Sequence, residues 1–181
     1  VQVEQPDIEI SIATEVLAGT WEALVENRAD LVVGGIGDAP GHKGIRCEPW
    51  LQVDYVFVAA PRHPLCREEG PISIATVQQH RAVIVRDSSR NSAALSRGIL
   101  NQQTCMYVPT MEAKLEAHRL GMGVGFAPET QVAEDLATGR LVALQLEESR
   151  EYSPTMLGWK VDNRGQALQF LVERLRISGK K

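Results

Sequence analysis

Short apolar runs alternate with amphipathic helical segments along almost the whole chain, and this alternation constrains the fold more than any other feature. A period-2 pattern predicts a strand over Ile8, Ile10 and Ile12, which alternate with Glu9 and Ser11. A helix over 19–27 follows, with Trp21, Leu24 and Val25 at three- and four-residue spacing. Further strands are predicted at 31–33, 45–51, 53–59, 82–86, 105–108, 124–127, 141–146 and 156–161. Helices are predicted at 73–79, 93–100, 110–120, 129–137 and 165–176, the last with Leu168, Leu171, Val172 and Leu175 on one stripe. Residues 38–44 read as a loop, and 61–70 as an exposed turn. Such alternation implies an α/β fold with largely parallel sheets. The extended segments 53–59 and 156–161 bracket a compact block of βα units, which favours two lobes over one continuous sheet.

With 181 residues, 44% of them hydrophobic and 23% charged, the chain can bury a core without disulfides or metal. A net charge of -4 and a pI near 5.6 argue against a nucleic-acid surface built from these residues alone. Cys47, Cys66 and Cys105 are widely spaced and form neither a CxxC motif nor a Cys/His pair, so a reducing, cytoplasmic compartment is expected. No apolar stretch approaches the roughly 20 residues of a membrane span. The opening residues carry no signal-peptide pattern, and the chain reads as an excised fragment.

An enzyme would need a catalytic constellation, and none can be assembled. The run Gly34-Gly35-Ile36-Gly37 does not have the spacing of a dinucleotide fingerprint. Gly121, Gly123 and Gly125 lie between a helix and a strand, whereas a phosphate cradle lies between a strand and a helix N-terminus. Gly121 reads instead as a left-handed helix cap, with Gly123 and Gly125 permitting tight packing. His42, His63, His80 and His118 show no zinc-binding spacing, and His118 reads as a surface or boundary residue. No nucleophile elbow surrounds Ser88 and Ser89. Neither a metal nor a cofactor is expected.

The positive signal is positional. Ligands of open parallel sheets bind outside the carboxyl ends of the strands. Those ends here are Thr14-Glu15-Val16, Gly34-Gly35-Ile36, Asp87-Ser88-Ser89 and Pro109-Thr110-Met111. They offer hydroxyls, glycine-exposed amides and helix N-termini, which suit a small anion. Thr110 reads equally well as an N-cap, with Glu112 one position early for a capping box.

Several segments in series carry a resemblance. Residues 21–33, from Trp21 through Asp30 to Val33, resemble the helix and following strand of LysR-type transcriptional regulators. Residues 56–65, ending His63-Pro64-Leu65, resemble their crossover strand. Residues 72–75 are similar to a helix start of that family, 117–128 to its glycine-rich helix-to-strand segment, and Gly139-Arg140-Leu141-Val142 to the segment after it. The resemblance covers nearly the whole chain and corresponds to the family's effector-binding domain.

It implies two Rossmann-like α/β lobes joined by two crossover strands, a type 2 periplasmic-binding-protein-like fold. The first lobe would comprise residues 1–58 plus 155–181, the second 59–154. A small, anionic effector would lie in the cleft between them, against the loops named above. The implied protein is a homodimer or homotetramer and no enzyme. It would touch DNA only through an N-terminal winged helix-turn-helix outside this sequence, and no membrane. The family's first effector-domain strand and helix would also precede Val1. The first lobe is therefore expected to be incomplete, repaired by a neighbour, or preceded by further residues. A solute-binding protein of a transport system shares this architecture and is the alternative reading.

Overall fold

The computed structural model describes residues 8–37, 44–91, 100, 102–148 and 154–179. The chain divides into two compact units. The first comprises Val1–Gln52, Asp87–Leu95 and Ser153–Lys181, and the second Val53–Arg86 and Ser96–Tyr152. The chain thus crosses after residues 52 and 152, where the sequence reading drew its boundaries at 58 and 154. Residues 87–91 belong with the first unit.

In the first unit, helix α1 (Ala18–Val25) precedes strands β1 (Leu31–Gly35) and β2 (Ile45–Pro49), and the unit closes with β8 (Met156–Lys160) and α5 (Gln166–Ser178). The sheet order is β1-β8-β2, with β8 antiparallel to both neighbours. Trp21, Leu24 and Val32 pack together on the α1 side, while Leu157, Trp159, Leu168 and Val172 form a second cluster under α5. The predicted stripe on α5 is therefore the face that Leu168 and Val172 bury.

The second unit contains β3 (Tyr55–Ala59), a 3-10 turn at Pro64–Arg67, α2 (Ile74–Gln78), β4 (Ala82–Val85), β5 (Cys105–Val108), α3 (Met111–Arg119), β6 (Gly125–Pro128), α4 (Glu129–Ala137) and β7 (Val142–Leu144). Strand β3 lies between β6 and β7, antiparallel to both. Strands β4 and β5 pair in parallel, and a parallel bridge from Ala82 to Val124 ties β4 to the start of β6. Phe57, Ala59, Leu65, Ile72, Val77 and Val124 form one core cluster; Val58, Leu115, Ala127, Val132 and Leu141 form another.

Four expectations need correction. The described strand pairs are mostly antiparallel, with β4–β5 the parallel exception. The strand immediately after each crossing, β3 or β8, enters the middle of a three-stranded group and runs against both flanking strands. Flanking strands such as β1 and β2 still point the same way, but they do not hydrogen-bond to each other. Second, Ile8, Ile10 and Ile12 belong to no strand among the described residues, and Ile12 is 90% exposed. A period-2 pattern becomes a strand only when a neighbouring backbone accepts its N–H and C=O groups. Third, the segment 61–70 is not merely an exposed turn. Leu65 is fully buried in the core, and the His63 ring accepts the Leu65 amide to start the 3-10 turn. Fourth, His118 is 0% exposed. The predicted helix 93–100 except Leu100, most of the loop 38–44, and His42 fall outside the described residues.

Candidate functional site

The structure brings Glu15, Val16, Ser88 and Ser89 together at the N-terminus of α1. The Ser88 hydroxyl accepts the Val16 amide at 2.8 Å and donates to Glu15 Oε2 at 2.5 Å. Asp87 accepts the amides of Ala18 at 3.2 Å and Gly19 at 3.1 Å, and also that of Ser89 at 2.8 Å. One helical turn further on, the Glu22 carboxylate accepts the amides of Arg90 and Asn91, each at 2.7 Å.

This contact explains Gly19. A Cβ there would stand 2.0 Å from Ser88 Oγ and 2.7 Å from its carbonyl carbon. Helix α1 has no cap of its own, since Leu17 occupies the N-cap position. A carboxylate some seventy residues along the chain satisfies its first amides instead. Burial pushes the Glu15 carboxyl up, but the hydrogen bond from Ser88 and the bond and charge of Arg28 outweigh that and hold it below the usual carboxylate range. Thr14 stands exposed beside this network.

Gly34, Gly35 and Ile36 close the same unit from another side. The Trp21 indole N–H donates to the Ile36 carbonyl at 3.3 Å. A Cβ on Gly35 would meet the Trp21 ring at 2.7 Å, and one on Gly158 would meet it at 2.5 Å. The two glycines leave the space the indole fills. Gly34, at φ +77, carries the β-bulge that interrupts the β1–β8 register.

Pro109, Thr110 and Met111 lie in the second unit, where β5 ends and α3 begins. The Thr110 hydroxyl accepts the Ala113 amide at 3.2 Å, so the predicted N-cap is present. The Glu112 carboxylate accepts its own amide and the Thr110 hydroxyl, which hold it below its usual range. Pro109 and Thr110 are exposed, and Met111 is half-buried against the cluster around Val58.

The inner face of α3 carries groups that the sequence reading missed. Lys114 is only 7% exposed. Burial pulls its ammonium down to about 8. One turn later, the His118 Nδ1–H donates to the Gly123 carbonyl at 3.0 Å. Its Nε2 has no partner among the described residues, and burial pushes the ring down to about 4, so the imidazole is neutral at physiological pH. Gly125 makes room for it, because a Cβ there would lie 3.4 Å from the ring. As predicted, Gly121 is left-handed at φ +71 and Gly123 packs tightly; a Cβ on Gly123 would stand 2.5 Å from the Arg81 carbonyl oxygen. His63 and His80 meet edge to face at 4.8 Å. No group of three potential metal ligands occurs among the described residues, and none of their helices is long and apolar enough to cross a membrane.

Two α/β units carrying polar strand-end loops are the frame of a ligand-binding regulatory domain. The family model of the LysR substrate binding domain matches residues 2–178, and the chain belongs to that family. It is 32% identical over 167 residues to the probable HTH-type transcriptional regulator YhaJ of Escherichia coli K12, covering 92% of this chain and 56% of that protein. It is 30% identical over 138 residues to the HTH-type transcriptional activator AllS of Klebsiella pneumoniae, covering 76% and 51%. The chain spans about half the length of these curated relatives. Among solved structures, the regulatory domain of Synechocystis PCC6803 CcmR in complex with 2-PG superposes with a TM-score of 0.74 at 17% identity, covering 99% of this chain and 88% of that one. The effector binding domain of QuiR in complex with shikimate gives 0.69 at 15% identity, covering 98% and 84%. The fold is accordingly the two-lobed, type 2 periplasmic-binding-protein-like one of LysR regulatory domains.

Proposed function

We propose that this chain is the effector-sensing domain of a LysR-type transcriptional regulator, a binding protein and not an enzyme. The observation that carries the reading is the family match, which runs through both units from residue 2 to residue 178. The relatives YhaJ and AllS are transcriptional regulators, and the CcmR and QuiR domains each hold a small molecule.

The effector would be a small, anionic metabolite. Thr14, Glu15, Val16, Gly34, Gly35, Ile36, Ser88 and Ser89 would contribute contacts from the first unit, and Pro109, Thr110 and Met111 from the second. Asp87 already fills the first amides of α1, so an anionic effector would be held by the other hydroxyls and amides of these strand-end loops. An effector can shift a conformational equilibrium only by binding one state more tightly than another. In the whole cytoplasmic protein, a homodimer or homotetramer, that shift would pass to an N-terminal winged helix-turn-helix and to DNA. A thermal-shift screen of small metabolites tests the reading. Carboxylates are expected to stabilise the wild-type chain, and Ser88→Ala and Thr110→Ala to weaken the hits measurably. Unchanged affinity in both variants removes these residues from the site.

A further inference from the structure

We propose that Lys114 is the charge-selecting residue of the effector site, where its ammonium pairs with a carboxylate of the effector. This rests on the sensing reading above and deepens it.

The case starts from the surroundings of the side chain. Helix α3 packs on β3, β4 and β5. Their sequences are YVFVA, AVIV and CMYV, without a single charged residue; Tyr55, Cys105 and Tyr107 are the only ionisable groups they bring. Lys114 nevertheless lies on the buried face of α3 with Leu115, Ala117 and His118. No hydrogen bond or ion pair engages its ammonium among the described residues. The other charges nearby are committed or turned away. On α3 itself, Glu112 accepts its own amide, Glu116 pairs with Arg119, and His118 is neutral; Asp135, on α4, also pairs with Arg119. Arg86, just past β4, lies over the Tyr107 ring.

A leucine or methionine would fill this space without the desolvation that a buried cation suffers. The position of Lys114 gives the cation a use. It is the fourth residue of α3, and helical side chains lean back toward the N-terminus. Although the charge of Lys114 is also felt by His118 one turn on, that lean is toward the helix start that Thr110 caps, at the carboxyl end of β5. That is where α/β sheets take ligands. Among the side-chain nitrogen and oxygen atoms of the described residues that are sealed from solvent, only His118 Nε2 lacks a partner. The Lys114 ammonium, unpartnered and not among them, thus keeps a little contact with solvent while its stem is buried, and that is the approach a ligand's carboxylate would use.

The test compares wild type with Lys114→Met, which keeps the length of the side chain and removes its charge. The probes are acetate, benzoate, succinate and citrate, with acetamide, benzamide and succinamide as neutral counterparts, added to a wider metabolite screen. Wild type is expected to bind carboxylates and not the matching amides, and Lys114→Met to lose at least tenfold in carboxylate affinity by calorimetry. A carboxylate that binds both proteins alike overturns the assignment, as does a screen whose only hits are neutral; either leaves the sensing reading standing. A screen in which nothing binds wild type overturns the sensing reading and this assignment with it. Ligand-free stability gives a second, independent measure. A cation held for binding makes Lys114→Met the more stable protein at pH 6.5. That margin shrinks between pH 8 and 10.5, as the wild-type ammonium loses its proton. A less stable Lys114→Met at pH 6.5 shows that Lys114 serves packing, and overturns the proposal.

Discussion

Helices α1 and α3 both begin at the end of a polar loop, yet their N-termini are satisfied in opposite ways. At α3 the cap is local: Thr110 accepts the amide three residues on, and Glu112 takes its own. At α1 the residue in the cap position is Leu17, and the amides of Ala18 and Gly19 go to Asp87. A local cap fixes one helix end. A distant cap also fixes the loop that carries it, so the order of residues 87–91 and that of the α1 start depend on each other. The largest effect should follow from breaking that dependence. Asp87→Ala removes three accepted amides at once and is expected to cost about 3 kcal/mol in urea denaturation, given roughly 1.5–3 kcal/mol for one charge-assisted bond and partial rescue by water. Thr110→Ala should cost only about 1 kcal/mol. Equal losses would show that the distant cap holds nothing beyond its own helix end.

The same contrast separates the two most deeply buried charges among the described residues of the second unit. Asp135, at 2% exposure, accepts Nε and Nη2 of Arg119 at 3.0 and 2.7 Å and Nε of Arg140 at 2.9 Å. The bonds from Arg119 hold its carboxyl below the usual range. Its contribution to stability is therefore present above the ordinary carboxylate range and lost as pH falls through the depressed folded value. Asp135→Asn is expected to cost about 2 kcal/mol at pH 7, since it leaves two guanidinium groups short of their counter-charge, and to flatten the fall in stability below pH 4. Lys114 has the opposite window. Its folded value near 8 lies below that of the unfolded chain, so wild-type stability should rise as pH climbs from about 8 toward 10.5. Melting curves across both windows would sharpen the distinction between a paired buried charge and a waiting one.

What the sequence made legible follows the same division between local and distant. Thr110 as a cap, Gly121 in the left-handed region, β5 and α4 at their observed bounds, and the apolar stripe of α5 all depend on neighbours within one or two turns. The family and its fold class were legible for a different reason, because many weak local segments stood in a fixed order. Among the site residues, Ser88 and Glu15 were found by their place at strand ends. Their bond to each other was not, since nothing in either segment encodes a partner seventy residues off. The same blindness left Glu22 unnoticed and hid what Asp87, itself placed at a strand end, does for α1; it also hid that the bareness of Gly35 makes room for Trp21. His118 and Lys114 were missed because polar residues on a helix are read as outward-facing; only the packing of α3 on uncharged strands shows otherwise.

The smallest expected effect tests whether the distant cap imposes strain. Leu17 has φ 51 and ψ -118, a conformation unfavourable for a side chain carrying Cβ. Asn27, at φ 58, closes the same helix in a region asparagine tolerates. Relief of the strain at Leu17 is worth about 1–3 kcal/mol, offset by about 0.4–1 kcal/mol of added freedom in the unfolded chain and by some lost contact of a half-buried side chain. Leu17→Gly should therefore stabilise the protein by only about 0.5 kcal/mol, and Asn27→Gly should change it less. The sharper measurement is the double variant. With Asp87 intact, the amides of Ala18 and Gly19 are held and Leu17 must bend to present them. Once Asp87→Ala releases those amides, Leu17 can relax by itself, and the gain from Leu17→Gly should vanish. A gain that persists unchanged in the Asp87→Ala background would locate the strain in α1 itself and break the link between the two ends of that contact.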